Sequence, residues 1–351
     1  MEKHLINRNA SLLDALRQLN ELSGSTMTLF AVDEDGRVSG SVTDGDIRRA
    51  LIAGATPLSP VAEAERRDFS CVRGEAPDVE ELRRLRMKGI GLVPRLDDEG
   101  RIAGIIDLNV TPTILPLRAM LMAGGKGERL RPLTLTVPKP LLEIDGKAII
   151  DYNIEALAAA GIDDITVSTA YLAEALDAHF ARPVAGVRVK TVRESTPLGT
   201  IGSASLVDWP AEGNTIVMNS DLLTTISFEE MYLHHRAERA DITIATIPYA
   251  VSVPYAILST DGPRVTGIEE KPSYSYYANA GIYIISNPLL RSIPQGRRID
   301  ATDFIEQAIA DGRRVAYYPI RGTWIDVGSP TDFRQASELM RLSRVWRDKN
   351  N

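Results

Sequence analysis

The sequence predicts an α/β protein with a Rossmann-like, doubly wound mixed sheet, preceded by a smaller α+β region. Three observations support this prediction. From Leu117 onward, apolar runs alternate with helical segments, while residues 1–110 contain two copies of one motif. A proline-punctuated connector at residues 111–116 separates these parts. We therefore expect a repeat domain over residues 1–112 and a larger domain over residues 117–351.

Composition narrows the class of protein. The 351 residues are 44% hydrophobic and 25% charged, which is typical of a globular protein with room for two domains. The net charge of -7 argues against a nucleic-acid partner. Cys71 is the single cysteine, which excludes an internal disulfide and a cysteine-based metal site. No signal peptide or membrane-spanning stretch is evident, so we expect a cytoplasmic protein with no membrane partner.

The repeat consists of residues 33–40 and residues 97–104, which read Asp-Glu-Asp-Gly-Arg-Val-Ser-Gly and Asp-Asp-Glu-Gly-Arg-Ile-Ala-Gly. Each copy predicts a strand, an acidic-Gly turn and a second strand. A helical pattern precedes each copy. We expect Ser11 to cap the first helix, with Asp14 completing a capping box, and Pro77 to begin the second helix.

The repeat resembles a tandem pair of CBS domains, a regulatory module that often binds adenine nucleotides. In that family a Gly-x-x-Thr-x-x-Asp element holds the phosphate and the ribose, and the first copy matches it with Gly40, Thr43 and Asp46. The resemblance therefore implies a nucleotide contact through Thr43 and Asp46. The second copy has Asp107 and Val110 at the last two places, which implies a lost or altered site. Simple helix capping by Thr43 and Asp46 remains the alternative.

Beyond the connector, the sequence alternates between predicted strands and helices. Apolar runs that suit strands buried on both faces occupy residues 165–168, 215–218, 242–247 and 281–285. Helical segments lie around residues 152–160, 172–180 and 228–238. This alternation predicts a mixed sheet covered by helices on both faces.

A glycine-rich run follows the first predicted strand of this region. Its glycines let the backbone turn tightly and present N–H groups to an anion, and basic residues follow closely. The spacing matches neither the P-loop nor the dinucleotide fingerprint. A triphosphate is the anion that this run predicts. The glycines are Gly124, Gly125 and Gly127, and the basic residues are Arg129, Arg131 and Lys139.

The order Gly-Gly-x-Gly-x-Arg, then Pro-Lys-Pro with its Lys ten residues after the Arg, resembles the signature of the sugar-1-phosphate nucleotidyltransferases (nucleotide-sugar pyrophosphorylases). The resemblance implies transfer of a nucleotidyl group from a nucleoside triphosphate to a sugar 1-phosphate, with release of pyrophosphate. It implies that Arg129 holds the pyrophosphate and that Lys139 reaches the sugar phosphate and the α-phosphate. The glycine loop would wrap the triphosphate, and Leu121 would flank the base.

The segment Glu194-Ser-Thr-Pro-Leu-Gly-Thr-Ile-Gly resembles the base-reading loop of that family. Gly199 would permit backbone contact with the base edge. An ionised Glu194 only accepts hydrogen bonds, so it suits the adjacent N1–H and N2–H₂ donors of guanine and favours GTP. A uridylyltransferase stays open, because some of these also carry Glu here.

Two aspartates match the metal-binding positions of the family. Asp221 follows a buried apolar run, at the end of a strand where α/β folds place ligands. Asp326 lies in Trp-Ile-Asp-Val-Gly-Ser-Pro. The resemblance implies that the two carboxylates bind Mg²⁺, which prefers hard oxygen ligands. The Asn-Ser-Asp context of Asp221 departs mildly from the usual Asn-Gly-Asp or Asn-Ala-Asp.

The remaining family matches concern the sugar. The resemblance implies that Glu270 binds sugar hydroxyls, that Lys271 binds the sugar phosphate, and that the strand with Asn279 and Gly281 backs the sugar. Ala256 stands where the family commonly has Gly, which leaves the sugar unidentified.

Chains with both parts are similar to the guanylyltransferases that act on glucosamine 1-phosphate in legionaminic-acid biosynthesis. We therefore expect an enzyme of surface-glycan biosynthesis that uses Mg²⁺, GTP and glucosamine 1-phosphate or a related hexose 1-phosphate. CBS pairs commonly dimerise, which suggests a homo-oligomer. The alternatives are a uridylyltransferase, a mannose-1-phosphate guanylyltransferase, or an inactive sensor of nucleotide sugars.

Overall fold

The computed structural model describes residues 2–23, 26–74 and 77–350. Contacts divide the chain into two compact units, one formed by residues 1–115 with 159–161 and the other by residues 116–158 with 162–351. Within the described ranges, no helix combines the length and the apolar character that crossing a membrane requires.

The first unit contains the repeat as two copies of one arrangement. The first copy comprises β1 (Leu5–Asn7), α1 (Leu12–Glu21), β2 (Thr28–Val32), β3 (Val38–Thr43) and α2 (Asp44–Ile52). The second comprises β4 (Val72–Arg73), α3 (Val79–Met87), β5 (Leu92–Leu96) and β6 (Ile102–Asp107). In both sheets the first two strands are parallel, the last two are antiparallel, and the register shifts at the same place in the hairpin. A turn follows β6 where α2 follows β3.

The helices α1 and α3, which precede the hairpin in each copy, are capped by different residues. Ser11 caps α1 as predicted, because its side chain accepts the N–H of Asp14 at 3.1 Å. The prediction that Pro77 begins the second helix is wrong. The carboxylate of Asp78 accepts the N–H groups of Glu80 at 2.8 Å and Glu81 at 3.2 Å, so Asp78 is the cap and α3 begins at Val79.

The second unit carries the large sheet. Its strands are β7 (Leu117–Ala123), β8 (Glu143–Ile144), β9 (Lys147–Ala148), β10 (Ile165–Thr169), β11 (Lys190–Arg193), β12 (Asn214–Asn219), β13 (Leu222–Thr224), β14 (Ile242–Ser252), β15 (Ile257–Asp261), β16 (Arg264–Glu269), β17 (Ser273–Ser286), β18 (Val315–Pro319) and β19 (Trp324–Asp326). Its helices are α4 (Ile149–Ala159), α5 (Ala173–His179), α6 (Phe228–Ala237), α7 (Asn287–Arg291), α8 (Ala301–Ala310) and α9 (Pro330–Asn350).

Seven strands form the large sheet in the order β11-β10-β7-β12-β17-β14-β18. β17 runs antiparallel to both of its neighbours, and the other pairs are parallel. The predicted mixed sheet is therefore confirmed. Its central strands are buried on both faces, as Met120, Val167 and Ile216 show by their near-zero exposure.

The register of the central strands sets the position of the loops that follow them. Met122 near the end of β7 pairs with Ser168 of β10 on one side and with Asn219 of β12 on the other. Parallel strands that end at the same level bring their following loops together. The glycine-rich run, the residues after β10 and Asp221 after β12 therefore meet at one edge of the sheet.

Candidate active site

A cleft of about 1090 Å³ opens at this edge. Ligand pockets commonly measure roughly 300–1,000 Å³, so the cleft is large enough for a nucleotide and a second ligand. Strand ends contribute Met122, Ser168 and Asn219 to its wall. Six of the residues that the sequence predicts for the site also line it: Gly124, Gly125, Lys139, Glu194, Gly199 and Asp221.

Gly124 and Gly127 lie where neighbouring segments approach too closely for a larger side chain. A Cβ on Gly124 would lie 2.7 Å from Oε1 of Glu194, so the glycine run and the 194–202 loop touch there. Gly127 has a positive φ of 59° and does not line the cleft. A Cβ on Gly127 would lie 3.0 Å from the Cβ of Lys139. Gly127 therefore lets the loop fold back against Lys139 and fixes the base of that side chain.

Lys139 lies between the two predicted metal-binding carboxylates. Its Nζ donates a hydrogen bond to Oδ2 of Asp221 and lies 3.6 Å from Oδ1 of Asp326. The lysine is 9% exposed, whereas the side chain of Asp326 is 42% exposed, so the cluster is buried at the lysine and open to solvent at Asp326. Pairing of β13 with β19 places Leu222 opposite Asp326, and the N–H of Val327 donates to the carbonyl of Asp221 at 3.1 Å. This short ladder brings the two carboxylates together.

Two carboxylates and two basic side chains face one another in this cluster. Burial, followed by the nearby Asp221 carboxylate, raises the pKa of Asp326, while Lys139 and Arg129 oppose the shift. Arg129 packs against Gly328, since a Cβ built on that glycine would lie 3.0 Å from Nη2 of Arg129. Two carboxylates that already share one ammonium suit Mg²⁺ as hard oxygen donors. No group of three or more potential ligands surrounds a point among the described residues, so phosphate oxygens and water would complete the coordination.

The predicted base-reading loop forms a tight turn beside the cleft. Oε2 of Glu194 accepts the N–H of Leu198 at 3.0 Å. Burial raises the pKa of Glu194, and the hydrogen bond from Leu198 opposes this rise. Gly199 has a φ of +80°, and a Cβ there would lie 2.5 Å from the carbonyl oxygen of Ile299. Only glycine fits this position without displacing the neighbouring backbone.

The predicted place of Leu121 beside the base stays a prediction. Its side chain is fully buried in β7, at 0% exposure. Successive side chains of a strand point to opposite faces, and here Met122 lines the cleft instead.

The predicted sugar residues lie apart from the cleft wall. Glu270 and Lys271 are exposed in the turn between β16 and β17, and neither lines the cleft. The side-chain oxygen of Asn279 accepts the N–H of Gly281 at 2.9 Å. Gly281 has a φ of +70°, and a Cβ there would lie 2.5 Å from the side-chain nitrogen of Asn219. Gly281 therefore makes room for Asn219, which does line the cleft.

In the repeat unit, Thr43 and Asp46 cap α2. The Thr43 hydroxyl accepts the N–H of Asp46, and the carboxylate of Asp46 accepts the backbone N–H of Thr43 at 2.9 Å. The other oxygen of Asp46 pairs with Arg49, and Asp46 is only 5% exposed. A nucleotide would have to compete with these contacts, so the predicted adenine-nucleotide site stays a prediction. In the second copy, Oδ1 of Asp107 accepts the N–H of Asn109 at 3.0 Å.

The family model described as nucleotidyl transferase matches residues 118–342. The chain belongs to the nucleotidyl transferase family. A CBS domain model matches residues 4–53, which hold the first copy of the repeat.

Two curated relatives are similar to this chain over 64% of its length. One is a putative mannose-1-phosphate guanyltransferase of Sulfolobus acidocaldarius, 32% identical over 229 residues and matched over 63% of its length. The other is a mannose-1-phosphate guanylyltransferase of Mycobacterium tuberculosis, 33% identical and matched over 64% of its length. The chain thus spans slightly less than two thirds of each relative.

A solved structure shows the same fold. HddC from Yersinia pseudotuberculosis matches 64% of this chain and 99% of its own, with a TM-score of 0.50 and 24% sequence identity. At this identity the likeness shows the fold alone.

Several charged residues of the cleft wall were not among the residues that the sequence predicts for the site. Lys126 lies inside the glycine run, where its charge was a readable signal, and it lines the cleft. Arg298 and Asp300 also line it. They carry no motif, and they come from a segment about 100 residues beyond the loop that they meet. Only the folded chain brings these two residues to the site.

Proposed function

We propose that the protein transfers a nucleotidyl group from a nucleoside triphosphate to a sugar 1-phosphate and releases pyrophosphate. The observation that carries this proposal is the Lys139 ammonium held between Asp221 and Asp326 beside a glycine-lined cleft. In this reaction a phosphate oxygen of the sugar attacks the α-phosphorus as the bond to pyrophosphate breaks. Catalysis of this kind depends on positioning two polyanions and neutralising their charge.

The predicted site residues would neutralise different parts of the two phosphate-bearing substrates. Gly124 and Gly125 line the cleft, and their backbone N–H groups would bind the triphosphate. Lys139 supplies a charge to the α-phosphate and the sugar phosphate, and Arg129 supplies one to the pyrophosphate. Asp221 and Asp326 would hold Mg²⁺, which stabilises negative charge on phosphate oxygens when bound. The shared position of Lys139 between these carboxylates supports a cation there.

We further propose GTP as the nucleotide. Glu194 lies at the cleft, one of its oxygens accepts the N–H of Leu198, and a carboxylate oxygen has a further lone pair for a base donor. Guanine presents two adjacent donors, whereas uracil presents a mixed edge. The names of the curated relatives, which are guanylyltransferases, support the same base.

For the second substrate we propose glucosamine 1-phosphate or a related hexose 1-phosphate, consumed in the cytoplasm for surface-glycan biosynthesis. Mannose 1-phosphate, which the names of the relatives contain, belongs to this class. Glu270, Lys271, Asn279 and Gly281 remain the proposed sugar residues. Binding by Glu270 and Lys271 then requires the exposed turn between β16 and β17 to approach the cleft.

The base proposal is tested by Glu194→Gln. A bidentate contact contributes about 1–3 kcal/mol of discrimination, so the unaltered protein should prefer GTP over UTP by roughly tenfold or more in kcat/KM. The variant replaces one acceptor by a donor and should reduce this preference several-fold. Glu128→Gln, at an exposed carboxylate that lines the same cleft, is the matched control and should keep it. Equal use of GTP and UTP by the unaltered protein would refute the base assignment and leave the reaction class standing.

A further inference from the structure

The N-terminus of α8 is capped in an unusual way. An aspartate at the cap position ordinarily accepts an N–H of its own helix. Asp300 occupies the cap position of α8 and makes no such bond. Its Oδ1 instead accepts the N–H of Thr200 at 3.1 Å, while the first N–H of the helix, at Ala301, donates to the hydroxyl of Thr200 at 2.7 Å. The helix and the base-reading loop thus cap each other.

Further backbone bonds join the same two segments. Ile299 donates its N–H to the carbonyl of Leu198 at 2.9 Å, and its own carbonyl accepts the N–H groups of Ile201 and Gly202, both at 3.2 Å. Gly199 lies between these contacts, and a Cβ there would also come within 2.8 Å of Oδ1 of Asp300. The turn that would meet the base is therefore built directly on the segment before α8.

The charge of Asp300 needs an explanation, because a carboxylate in a cleft for a triphosphate repels the ligand. Asp300 lines the cleft, and its side chain is 36% exposed. Arg298 also lines the cleft, and its Nη2 lies 3.3 Å from Oδ2 of Asp300. The guanidinium offsets the carboxylate, whose Oδ1 stays committed to the loop. If Asp300 only stabilised α8, its carboxylate would accept an N–H of that helix. It accepts the N–H of Thr200 in the loop instead.

We propose that Asp300 is a positioning residue for the nucleotide. It holds the turn at Gly199 and Thr200 where the backbone meets the base, and Arg298 offsets its charge toward the phosphates. This inference rests on the proposed function, since it assigns the loop to nucleotide binding. Asp300 acts through the N–H of Thr200 and touches no reacting atom.

The test compares Asp300→Ala with Asp300→Asn in the full chain. Direct binding of GTP is measured by calorimetry, and KM and kcat by pyrophosphate release. Asparagine keeps an oxygen for the N–H of Thr200, so Asp300→Asn should bind GTP within about twofold of the unaltered protein. Asp300→Ala should weaken GTP binding and raise its KM about tenfold, as expected for one hydrogen bond to a charged group. The KM for the sugar phosphate and kcat should change less than about threefold, since the ordered turn belongs to the nucleotide side.

Ser227→Ala is the matched control. Ser227 caps α6 by accepting the N–H of Glu230 at 3.2 Å, and it does not line the cleft. Its loss should lower the thermal midpoint without changing GTP binding. The inference is overturned if Asp300→Ala binds GTP as the unaltered protein does, or if Asp300→Asn loses as much affinity as Asp300→Ala. An unaltered protein that binds no nucleoside triphosphate would overturn the proposed function together with this inference.

Discussion

Asp221 and Asp326 illustrate how single residues carry the proposed chemistry. Each lies beside the buried ammonium of Lys139, and burial raises the pKa of Asp326. Bringing two carboxylates together in this way is costly for folding, and a cation offsets the cost. The ammonium of Lys139 offsets part of this cost, and the proposed Mg²⁺ would offset the rest.

Asp221→Asn should reduce turnover by about 100-fold or more, because it removes one of two charged metal ligands and leaves phosphate repulsion uncompensated. Removal of divalent cations with EDTA should abolish turnover of the unaltered protein. The measurement is pyrophosphate release as a function of Mg²⁺ concentration. Asp164→Asn, which loses ion pairs with Arg118 and Lys190 and does not line the cleft, is the control and should keep its turnover. Near-normal activity of Asp221→Asn would refute the metal assignment.

Motif matching identified some of the residues that line the cleft and missed others. It predicted Gly124, Lys139 and Asp221 at the cleft, because each follows a strand or a loop whose sequence is characteristic of the family. Leu121 is buried and does not line the cleft, since the direction of a strand side chain depends on the sheet and is not part of the motif. Asp300 was invisible, because a capping interaction between distant segments leaves no local pattern.

At the scale of elements, the stability of α6 changes with pH because the helix contains a buried histidine. His235 is 3% exposed, its Nδ1 lies 2.8 Å from Oγ1 of Thr243, and its Nε2 lies 3.2 Å from Oδ1 of Asn214. Burial lowers the pKa of His235 to about 4, with Asp241 opposing and His234 adding to the shift. The unfolded chain binds this proton near pH 6.5, so the histidine costs stability as the pH falls from about 6.5 to 4.

We expect the unfolding free energy of the second unit to fall by about 2 kcal/mol between pH 8 and pH 5 from this group alone. His235→Gln should remove most of that fall, since glutamine stays uncharged. Urea unfolding followed by tryptophan fluorescence measures it, because Trp209, Trp324 and Trp346 all lie in the second unit. His234→Gln, at the adjacent and more exposed histidine, should retain the pH dependence. An equal fall in His235→Gln and in the unaltered protein would contradict the account.

The capping box of α2 gives a prediction for the repeat. We expect calorimetry of the full chain with AMP, ADP and ATP to find at most one adenine-nucleotide site, in the first copy. Asp46→Ala should abolish that binding and also cost about 1 kcal/mol through the lost cap. Asp107→Ala, in the second copy, should bind as the unaltered protein does. Two equal sites, or undiminished binding by Asp46→Ala, would show that the repeat asymmetry is misinterpreted.

Helices and strands could be predicted where the pattern that specifies them lies within the segment itself. β12 contains three successive apolar residues, Ile216, Val217 and Met218, because both faces of the strand are buried, and this pattern is visible in the sequence. The start of α3 was placed two residues early, because Pro77 is a common first residue of a helix but Asp78 supplies the cap. The reciprocal capping of α8 links residues 100 positions apart and could not be read from either segment.

The chain contains a unit that matches the nucleotidyl transferase family and a repeat whose first copy matches the CBS domain. Regulation through the repeat requires a ligand that prefers one state of the protein, because equal binding to both states shifts nothing. The expected homo-oligomer stays a prediction, which light scattering of the full chain would test.

The central claim is the reaction itself, and pyrophosphate release tests it most directly. The unaltered protein is incubated with Mg²⁺, each of the four nucleoside triphosphates, and glucosamine, glucose or mannose 1-phosphate in turn. We predict release that requires both substrates and the divalent cation, is fastest with GTP, and falls about 100-fold or more in Asp221→Asn. A protein that binds these substrates and releases no pyrophosphate with any pair would contradict the account.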